Sequence, residues 1–282
     1  MQTSTLTLDE ASTSHFVQAG AVRLHYNDVG SGEPVIMLHG TGPGASSWSN
    51  FTSNVGAFAN NFRALLVDMP QYGKSDKVVI EGGRLTYTAN VLKDMLDALG
   101  IARAHFVGNS MGGQVAMKLA IDAPERVQKL VVIGSNPVSY SLFTPMPLEG
   151  IKHIAGYYRT DGGPSLDKMR RLVQTILFDQ SFLIEAALQE RYAASIEPDV
   201  VELMTKFPPP ANQDLSGELH LIKAPTLVIW GADDRFGALD VGLLLTRRIP
   251  DARMHIFNRC GHWAQVEHAD EFNRLVIDFL RH

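Results

Sequence analysis

The chain has very little of several features that would place it in a specialised class. It contains one cysteine, Cys260, in 282 residues, which excludes an internal disulfide and a zinc site built on two cysteines. It lacks an apolar run approaching the roughly 18 residues of a membrane helix, and it lacks a cluster of lysine and arginine. Residues 1–16 carry neither the basic stretch nor the apolar stretch of a secretory signal, so we expect a cytoplasmic protein.

What the chain does contain is the composition of an ordinary soluble globular protein. Hydrophobic residues make up 45% and charged residues 20%. Lys and Arg number 25 against 30 Asp and Glu, a formal charge of −5, which argues against nucleic acid as a partner. We expect no membrane partner, no metal centre and no cofactor.

Short apolar runs alternate along the chain with segments of helical periodicity. The runs are four or five residues long and cover 35–38, 64–67, 104–107, 130–133, 226–230 and 254–257. Nearly continuous apolar runs of this length are typical of strands buried on both faces of a parallel sheet. Helical spacing over 89–99 and 113–121 lies between such runs. This alternation predicts an α/β fold.

The alternation stops between residues 137 and 210, where only helical periodicity is found, over 166–178 and 182–194. The segment closes with three prolines at 208–210, which cannot continue a helix. We therefore predict a helical cap at 137–210 inserted into a core formed by 15–136 and 211–282. Residues 1–14 are rich in serine and threonine, and we expect a flexible tail or an arm on the surface.

The strongest chemical motif is Gly-Asn-Ser-Met-Gly-Gly at 108–113, between a predicted strand and a predicted helix. This is a G-x-S-x-G motif in its strand–turn–helix context. The glycines are required because a sharp turn at Ser110 brings neighbouring backbone too close for a Cβ atom. We predict that Ser110 is a nucleophile; the alternative is a strand-to-helix turn without chemistry.

A serine nucleophile needs a base, and the base needs a carboxylate that orients it. The expected chain order in this fold is serine, acid, histidine. His262 follows the last predicted strand, and Asp233 and Asp234 follow the strand after the cap. We favour Asp234 because it lies further into the loop, and we expect Asp233 to be a solvated turn residue or a helix cap.

An oxyanion hole needs two N–H donors. One is expected from Met111, the residue after the nucleophile, and the other from an early glycine-rich loop. The loop at 39–45 reads His-Gly-Thr-Gly-Pro-Gly-Ala, and we predict that the N–H of Thr41 is the second oxyanion donor. Cys260 is expected to be a small packed residue rather than a reactive one.

Six segments together resemble the meta-cleavage product hydrolases, α/β-hydrolase-fold enzymes that cut carbon–carbon bonds in ring-fission products of aromatic degradation. They are HGTGPGA at 39–45, WSN at 48–50, GNSMGG at 108–113, SLFTP at 141–145, DRF at 234–236 and CGHWAQ at 260–265. The resemblance covers the chain from about residue 16 and includes the cap. It implies a mostly parallel sheet flanked by helices, a Ser110–His262–Asp234 triad and oxyanion donors at Thr41 and Met111.

The resemblance also assigns a site for the substrate, a small 2-hydroxy-6-oxo-hexa-2,4-dienoate. Arg191 matches the arginine that binds the dienoate carboxylate, and Asn50 and Asn109 match asparagines at the same polar end. Phe236 and Trp263 match aromatic residues beside the histidine. From the sequence alone Arg191 could equally be an exposed helix residue paired with a neighbouring glutamate. Relatives often carry a Val-Pro pair in the segment after Asp234, which reads RFGALD at 235–240 here, so we expect a local change in that loop without loss of chemistry. Relatives are commonly homodimers or larger assemblies.

Two other classes of function remain open at this point. A carboxylesterase, lactonase or perhydrolase on the same fold is the main alternative, because fold does not fix function. A ligand-binding protein without catalysis is the second. The group attached to the cleaved ketone is not determined by sequence; its candidate contacts in the cap are Ile154, Leu172, Ile176 and Phe178.

Overall fold

The computed structural model describes residues 8–160 and 162–282, and within these residues the centre of the molecule is an eight-stranded sheet. The strands are β1 (Ser14–Ala19), β2 (Val22–Gly30), β3 (Pro34–Leu38), β4 (Arg63–Val67), β5 (Ala104–Asn109), β6 (Val127–Ile133), β7 (Thr226–Gly231) and β8 (Ala252–Phe257). Their spatial order is β1-β2-β4-β3-β5-β6-β7-β8. Only the pairings of β1 with β2 and of β2 with β4 are antiparallel. The predicted α/β fold with a mostly parallel sheet is confirmed.

All six predicted strands are present, and β3 shows why their apolar runs are continuous. Val35 and Met37 pack into the core on one face of the sheet, while Ile36 and Leu38 pack into the core on the other. The expectation of burial on both faces is wrong for β8. This strand lies at the edge of the sheet with one neighbour, and Ile256 is 45% exposed.

Helices cover both faces of this sheet. Those of the core are α1 (Ser47–Ala59), α2 (Arg84–Ala98), α3 (Met111–Asp122), α8 (Leu239–Arg248), α9 (Ala264–Glu267) and α10 (Ala269–Arg281). The predicted helical segments 89–99 and 113–121 correspond to α2 and α3. The helix α1 begins after Ser46, whose side chain accepts a hydrogen bond from the N–H of Ser49 and so caps the first turn. None of the helices in the described ranges combines the length and apolar character of a membrane span.

Between β6 and β7 the described chain forms helices and no strand. The longer helices here are α4 (Glu149–Gly156), α5 (Leu166–Ile176), α6 (Glu185–Ser195) and α7 (Pro198–Lys206). They have a small apolar core of their own, which includes Tyr157, Met169 and Leu188. We call residues 137–210 the cap; that they act as a separate lid remains a prediction.

The predicted N-terminal tail falls partly outside the described residues, since 1–7 are not described. From Leu8 the chain lies against the sheet, with a short 3₁₀ turn at Ala11–Thr13 before β1. The amide of Asn27 donates to the carbonyl of Glu10 at 2.8 Å, and Lys74 pairs with the Glu10 carboxylate at 2.7 Å. This part of the segment is therefore an arm on the surface.

The β1–β2 hairpin is joined to β4 by a buried hydrogen-bond relay. The hydroxyl of Ser14 is 2.8 Å from Nε2 of His25, and Nδ1 of His25 is 2.8 Å from the carboxylate of Asp68. Asp68 also accepts the N–H of Ser47 at the start of α1. These contacts fix the hairpin and the end of β4 relative to α1.

Candidate active site

Ser110 lies at the turn between β5 and α3 with φ of +53° and ψ of −118°. A positive φ is rare for a residue with a side chain and indicates local strain. The glycines predicted to be necessary here are crowded by backbone. A Cβ atom on Gly108 would overlap Gly112, and one on Gly112 would overlap the carbonyl of Leu38.

The structure brings Asp234 and His262 together. Oδ2 of Asp234 is 2.7 Å from Nδ1 of His262, and both side chains are nearly inaccessible. Oδ1 of Asp234 accepts the N–H groups of Phe236 and Gly237 at 2.7 and 3.0 Å, which fixes the orientation of the carboxylate. Asp233 is exposed and points elsewhere.

Ser110 and His262 line the same cavity, but within the described chain the Ser110 hydroxyl makes no hydrogen bond to the imidazole. Such contacts are often long before substrate binds, so this does not exclude the pair. The ring of Phe236 stacks on His262 with centroids 4.8 Å apart, which limits rotation of the imidazole.

The glycine-rich loop at 39–45 is anchored to the segment after β4 by His39. This histidine is buried, and its Nε2 accepts the N–H of Met69 at 3.1 Å, so Nδ1 carries the proton and donates to the carbonyl of Gly40. Burial lowers the pKa of His39 and keeps the ring neutral. A Cβ atom on Gly40 would lie only 3.1 Å from that of Ser110.

The two predicted N–H donors flank this contact. Met111 is the first residue of α3, so its N–H has no partner within the helix. In residues 8–160 and 162–282 the N–H of Thr41 also makes no hydrogen bond. The side chain of Thr41 is held by the hydroxyl of Tyr72 at 2.8 Å.

Arg191 of α6 is buried in the cavity, and only 8% of it is exposed. The alternative of an exposed residue paired with Glu190 or Glu197 is therefore wrong. No carboxylate of the described residues pairs with Arg191, and its Nε atom has no hydrogen-bond partner among them. Burial lowers the pKa of Arg191 to about 10, so it remains charged at neutral pH. Its guanidinium lies 5.5 Å from the ring of Trp263.

The two predicted asparagines are adjacent. The amide nitrogen of Asn50 is 3.4 Å from Oδ1 of Asn109. The amide nitrogen of Asn109 donates to the carbonyls of Ile133 and His262, at 3.2 and 3.3 Å. Because both of these partners are carbonyls, the orientation of the Asn109 amide is fixed, and its oxygen accepts the amide of Asn50.

The cavity between cap and core has two chemically different ends. Its polar end contains Arg191 and the two asparagines. The other wall is apolar and carries no cation, with side chains Ile151, Ile154, Leu172, Ile176 and Phe236. Phe178, the fourth predicted contact of the substituent, does not line the cavity; its ring is 37% exposed and lies under Arg259.

Three residues that contact the active-site residues are not among those predicted from the sequence. Tyr72 holds Thr41, and no sequence signal marks it. The buried amide of Gln265 contacts Asn50 at 3.3 Å; its only signal was its place in the segment 260–265. Gly134 follows β6 with φ of +54°, and a Cβ atom there would lie about 3 Å from both His262 and Asp234.

No group of three His, Cys, Asp or Glu side chains in the described ranges is arranged to hold a metal ion. The single cysteine, Cys260, is buried, and burial raises the pKa of its thiol far above the usual range. This agrees with a packing role rather than a reactive one.

Comparison with known proteins identifies the family. The model of the α/β-hydrolase fold family matches residues 33–269. A solved meta-cleavage product hydrolase from Pseudomonas fluorescens superposes with a TM-score of 0.86 at 31% identity, over 96% of this chain and 98% of that one. This chain is a member of the meta-cleavage product hydrolases. The resemblance predicted from six sequence segments is confirmed.

Two curated relatives of this meta-cleavage product hydrolase differ in the substrate that their names give. One, from Paraburkholderia phymatum, is a 2-hydroxy-6-oxononadienedioate/2-hydroxy-6-oxononatrienedioate hydrolase, 48% identical over 99% of each chain. The other, from Burkholderia cepacia, is a 2-hydroxy-6-oxo-6-phenylhexa-2,4-dienoate hydrolase, 47% identical over 97% of this chain and 98% of the relative. Overall identity therefore does not distinguish a carboxyalkyl from an aryl substituent.

Proposed function

We propose that this enzyme hydrolyses the carbon–carbon bond next to the ketone of 2-hydroxy-6-oxo-hexa-2,4-dienoates, in the catabolism of aromatic compounds. The products are 2-hydroxypenta-2,4-dienoate and a carboxylic acid. The observation that carries this proposal is Arg191, a buried cation without an ionic partner in the described chain, in the same cavity as Ser110 and His262. A buried charge needs compensation, and the substrate carboxylate provides it. A neutral ester would not.

The proposed chemistry begins with a proton transfer, because a carbanion is a poor leaving group. In the dienol form of the substrate the carbon that must depart, C5, is part of a double bond, so breaking the C5–C6 bond would leave a vinyl carbanion without stabilisation. His262 assists removal of the proton from the 2-hydroxyl group and return of a proton to C5, giving the keto form. When the C5–C6 bond later breaks, its electron pair is delocalised into a conjugated dienolate.

Cleavage then follows the serine hydrolase pattern. His262 takes the hydroxyl proton of Ser110 as the oxygen attacks the C6 ketone, and Asp234 holds the imidazole in the required tautomer. The N–H groups of Thr41 and Met111 stabilise the resulting oxyanion. Collapse breaks the C5–C6 bond, the imidazolium gives its proton to the leaving dienolate, and an acyl group remains on Ser110. Neutral His262 then takes a proton from the attacking water and returns it to Ser110 as the acid is released.

Asn109 acts in this scheme as an acceptor. Its amide nitrogen is already bonded to two carbonyls, and its oxygen, which accepts the amide of Asn50, can accept one more hydrogen bond from the substrate. We infer that the amide oxygen of Asn109 accepts a hydrogen bond from the 2-hydroxyl group of the dienol, while Arg191 binds the neighbouring carboxylate. Trp263 and Phe236 shield this end and the imidazole from water.

The decisive experiment separates the two steps by rapid mixing with the phenyl-substituted dienoate. Ser110→Ala should lower turnover roughly 10⁴-fold or more. It should still perturb the absorbance of the bound dienolate, because tautomerisation needs no nucleophile, while releasing no acid. His262→Ala should be slow in both steps.

The control is Ser181→Ala, which removes an exposed serine of the cap and should behave as the parent. An unchanged dienolate spectrum with saturating Ser110→Ala, together with rapid hydrolysis of p-nitrophenyl esters by the parent, would replace this proposal by the esterase alternative.

Three further proposals concern the group attached to the ketone, the oligomeric state and the cellular location of the enzyme. We propose that the apolar wall receives the group attached to the ketone, which a turnover panel varying only that group would test. We also propose a cytoplasmic homodimer or larger oligomer. Exposed apolar side chains such as Phe143, 74% exposed, and Ile184, 64% exposed, are suited to burial against another copy. Light scattering and cell fractionation test these two points.

A further inference from the structure

Glu267, the last residue of α9, connects the cap with the loop that carries His262. One carboxylate oxygen accepts the backbone N–H groups of Phe178 and Asp179, both at 2.8 Å. The other accepts the N–H of Gly261, the residue before His262, at 2.7 Å. A single side chain therefore holds two segments that are distant in sequence.

These contacts depend on the negative charge of the carboxylate. Glu267 is half-buried, and no lysine or arginine in the described part of the chain pairs with it. Burial raises its pKa, while the three N–H donors favour the ionised form. An anion in this position is stabilised mainly by the N–H groups around it, and charge-assisted bonds of this kind are stronger than neutral ones.

The same end of α5 is bound to both loops of the acid–base pair. The N–H of His262 donates to the carbonyl of Ile176 at 2.8 Å. The guanidinium of Arg235, the residue after Asp234, donates to the carbonyl of Leu177 at 3.0 Å. Gly261 has no room for a side chain, since a Cβ atom would overlap the carbonyl of Ile176. The cap and the His262 loop are thus in backbone contact here.

The helix α5 also contributes Leu172 and Ile176 to the cavity wall. We propose that Glu267 is a positioning residue, which keeps the end of α5 and the His262 loop in one fixed arrangement. A substrate bound by the cap is then correctly placed relative to the imidazole. This inference rests on the proposed function of the site, and Glu267 itself touches no reacting atom.

The test compares Glu267→Gln with Glu271→Gln, which changes an exposed glutamate of α10. The amide introduced by Glu267→Gln would have one oxygen acceptor and one NH₂ donor. Its NH₂ group would therefore face either the N–H of Gly261 or the N–H groups of Phe178 and Asp179, and those hydrogen bonds would be lost. Glu267→Gln should lower kcat about tenfold or more and change KM less than about threefold, measured well below the unfolding temperature. Glu271→Gln should leave both constants unchanged.

A purely structural role predicts a different result. In that case activity would fall only with the folded fraction measured by circular dichroism, and kcat per folded enzyme would stay within about twofold of the parent. That outcome would overturn the proposal. If Glu267→Gln does not fold, Glu267→Asp replaces it. This variant keeps the charge but is one methylene too short to reach both segments, so a smaller loss of kcat with unchanged KM is expected.

The rate of labelling of Ser110 by a fluorophosphonate separates this proposal from the proposed function. Labelling requires an aligned His262 but no dienoate, so its rate constant should fall in Glu267→Gln by a factor similar to that in kcat. A parent enzyme that is labelled but turns over no dienoate would end the proposed function and leave the Glu267 test intact. Equal labelling rates in parent and variant would end the Glu267 proposal.

Discussion

At the scale of single residues, the candidate active-site residues can be identified from the sequence, but their contacts with one another cannot all be predicted from it. Adjacent Asp233 and Asp234 have the same chemistry, and only the fold of the loop decides which carboxylate meets His262. For Arg191 the sequence left burial and exposure equally open, because the burial of a helix face depends on what packs against it. The role of Gln265 depends on a contact with Asn50 of α1, 215 residues away in the sequence, which no local pattern reveals.

We expect Asp234→Asn to reduce turnover severely and Asp233→Asn to reduce it little. The amide at 234 would present either a donor or a mis-set acceptor to Nδ1 of His262, so the imidazole would lose the tautomer that accepts the serine proton. Steady-state kinetics on the dienoate measure both variants, which differ by one position and not in chemistry. The reverse ranking would show that Asp233 is the orienting carboxylate.

Arg191→Gln should impair dienoate turnover much more than ester turnover. The variant loses a charge-assisted hydrogen bond to a buried carboxylate, about 1.5–3 kcal/mol, or roughly 10- to 100-fold in kcat/KM. Arg171→Gln, on the exposed face of α5, is the matched control. An equal loss for dienoates and p-nitrophenyl esters would assign Arg191 a structural role instead.

At the scale of elements, buried strands were the most predictable part of the fold. Short, nearly continuous apolar runs are typical of strands in a parallel sheet, and they located six of the strands. The β1–β2 hairpin was missed because its residues at 14–30 mix polar and apolar side chains, as expected at an edge of the sheet. The edge position of β8 was missed as well, because an apolar run does not record how many neighbours a strand has.

One contact between elements should control the position of Arg191. Gly44 has φ of +63°, and a Cβ atom there would overlap the carbonyl of Arg191 in α6. Gly44→Ala should therefore displace α6 and lower kcat/KM for dienoates about tenfold or more. The dienoate assay measures kcat/KM, and melting curves measure the stability of Gly44→Ala and of its control.

Gly100→Ala is the matched control for this substitution. Gly100 has φ of +66° but nothing within 4 Å of its Cβ position, so it incurs the same backbone strain of roughly 1–2 kcal/mol without displacing anything. Equal effects of the two substitutions on kcat/KM would mean that strain alone, and not the cap contact, explains the loss at Gly44.

At the scale of the whole molecule, several titratable groups make stability depend on pH in one direction. Burial lowers the pKa of His39, so the unfolded state takes up a proton below about pH 6.5 before the folded state does. Burial alone would raise the pKa of Asp68, but hydrogen bonds from His25 and Ser47 and the nearby histidines hold it below the usual value. The pKa of Asp214 is lowered to about 2 by its bonds to Ser139 and Ser216.

These shifts have the same sign, because in each case the folded state binds fewer protons than the unfolded state. We expect the free energy of unfolding to fall as pH drops below about 6.5, and to fall further between about pH 4 and 2. Glu267, with its raised pKa, opposes this trend over part of the range. Urea titrations across pH test the expectation, and Asp214→Asn should flatten the lowest part of the curve. Stability that is constant or rising on acidification would contradict it.

Two serines of this chain lie near a histidine that is bonded to an aspartate, and a geometric template could confuse them. Ser14 is 2.8 Å from His25, which in turn meets Asp68, whereas Ser110 makes no such bond at rest. Ser14 has ordinary extended backbone, with φ of −77° and ψ of 127°, while Ser110 lies in a strained turn facing a cavity. A template search that ranks serines by distance would select Ser14. Templates for this fold should therefore weigh the backbone dihedrals of the serine before its distance to a histidine.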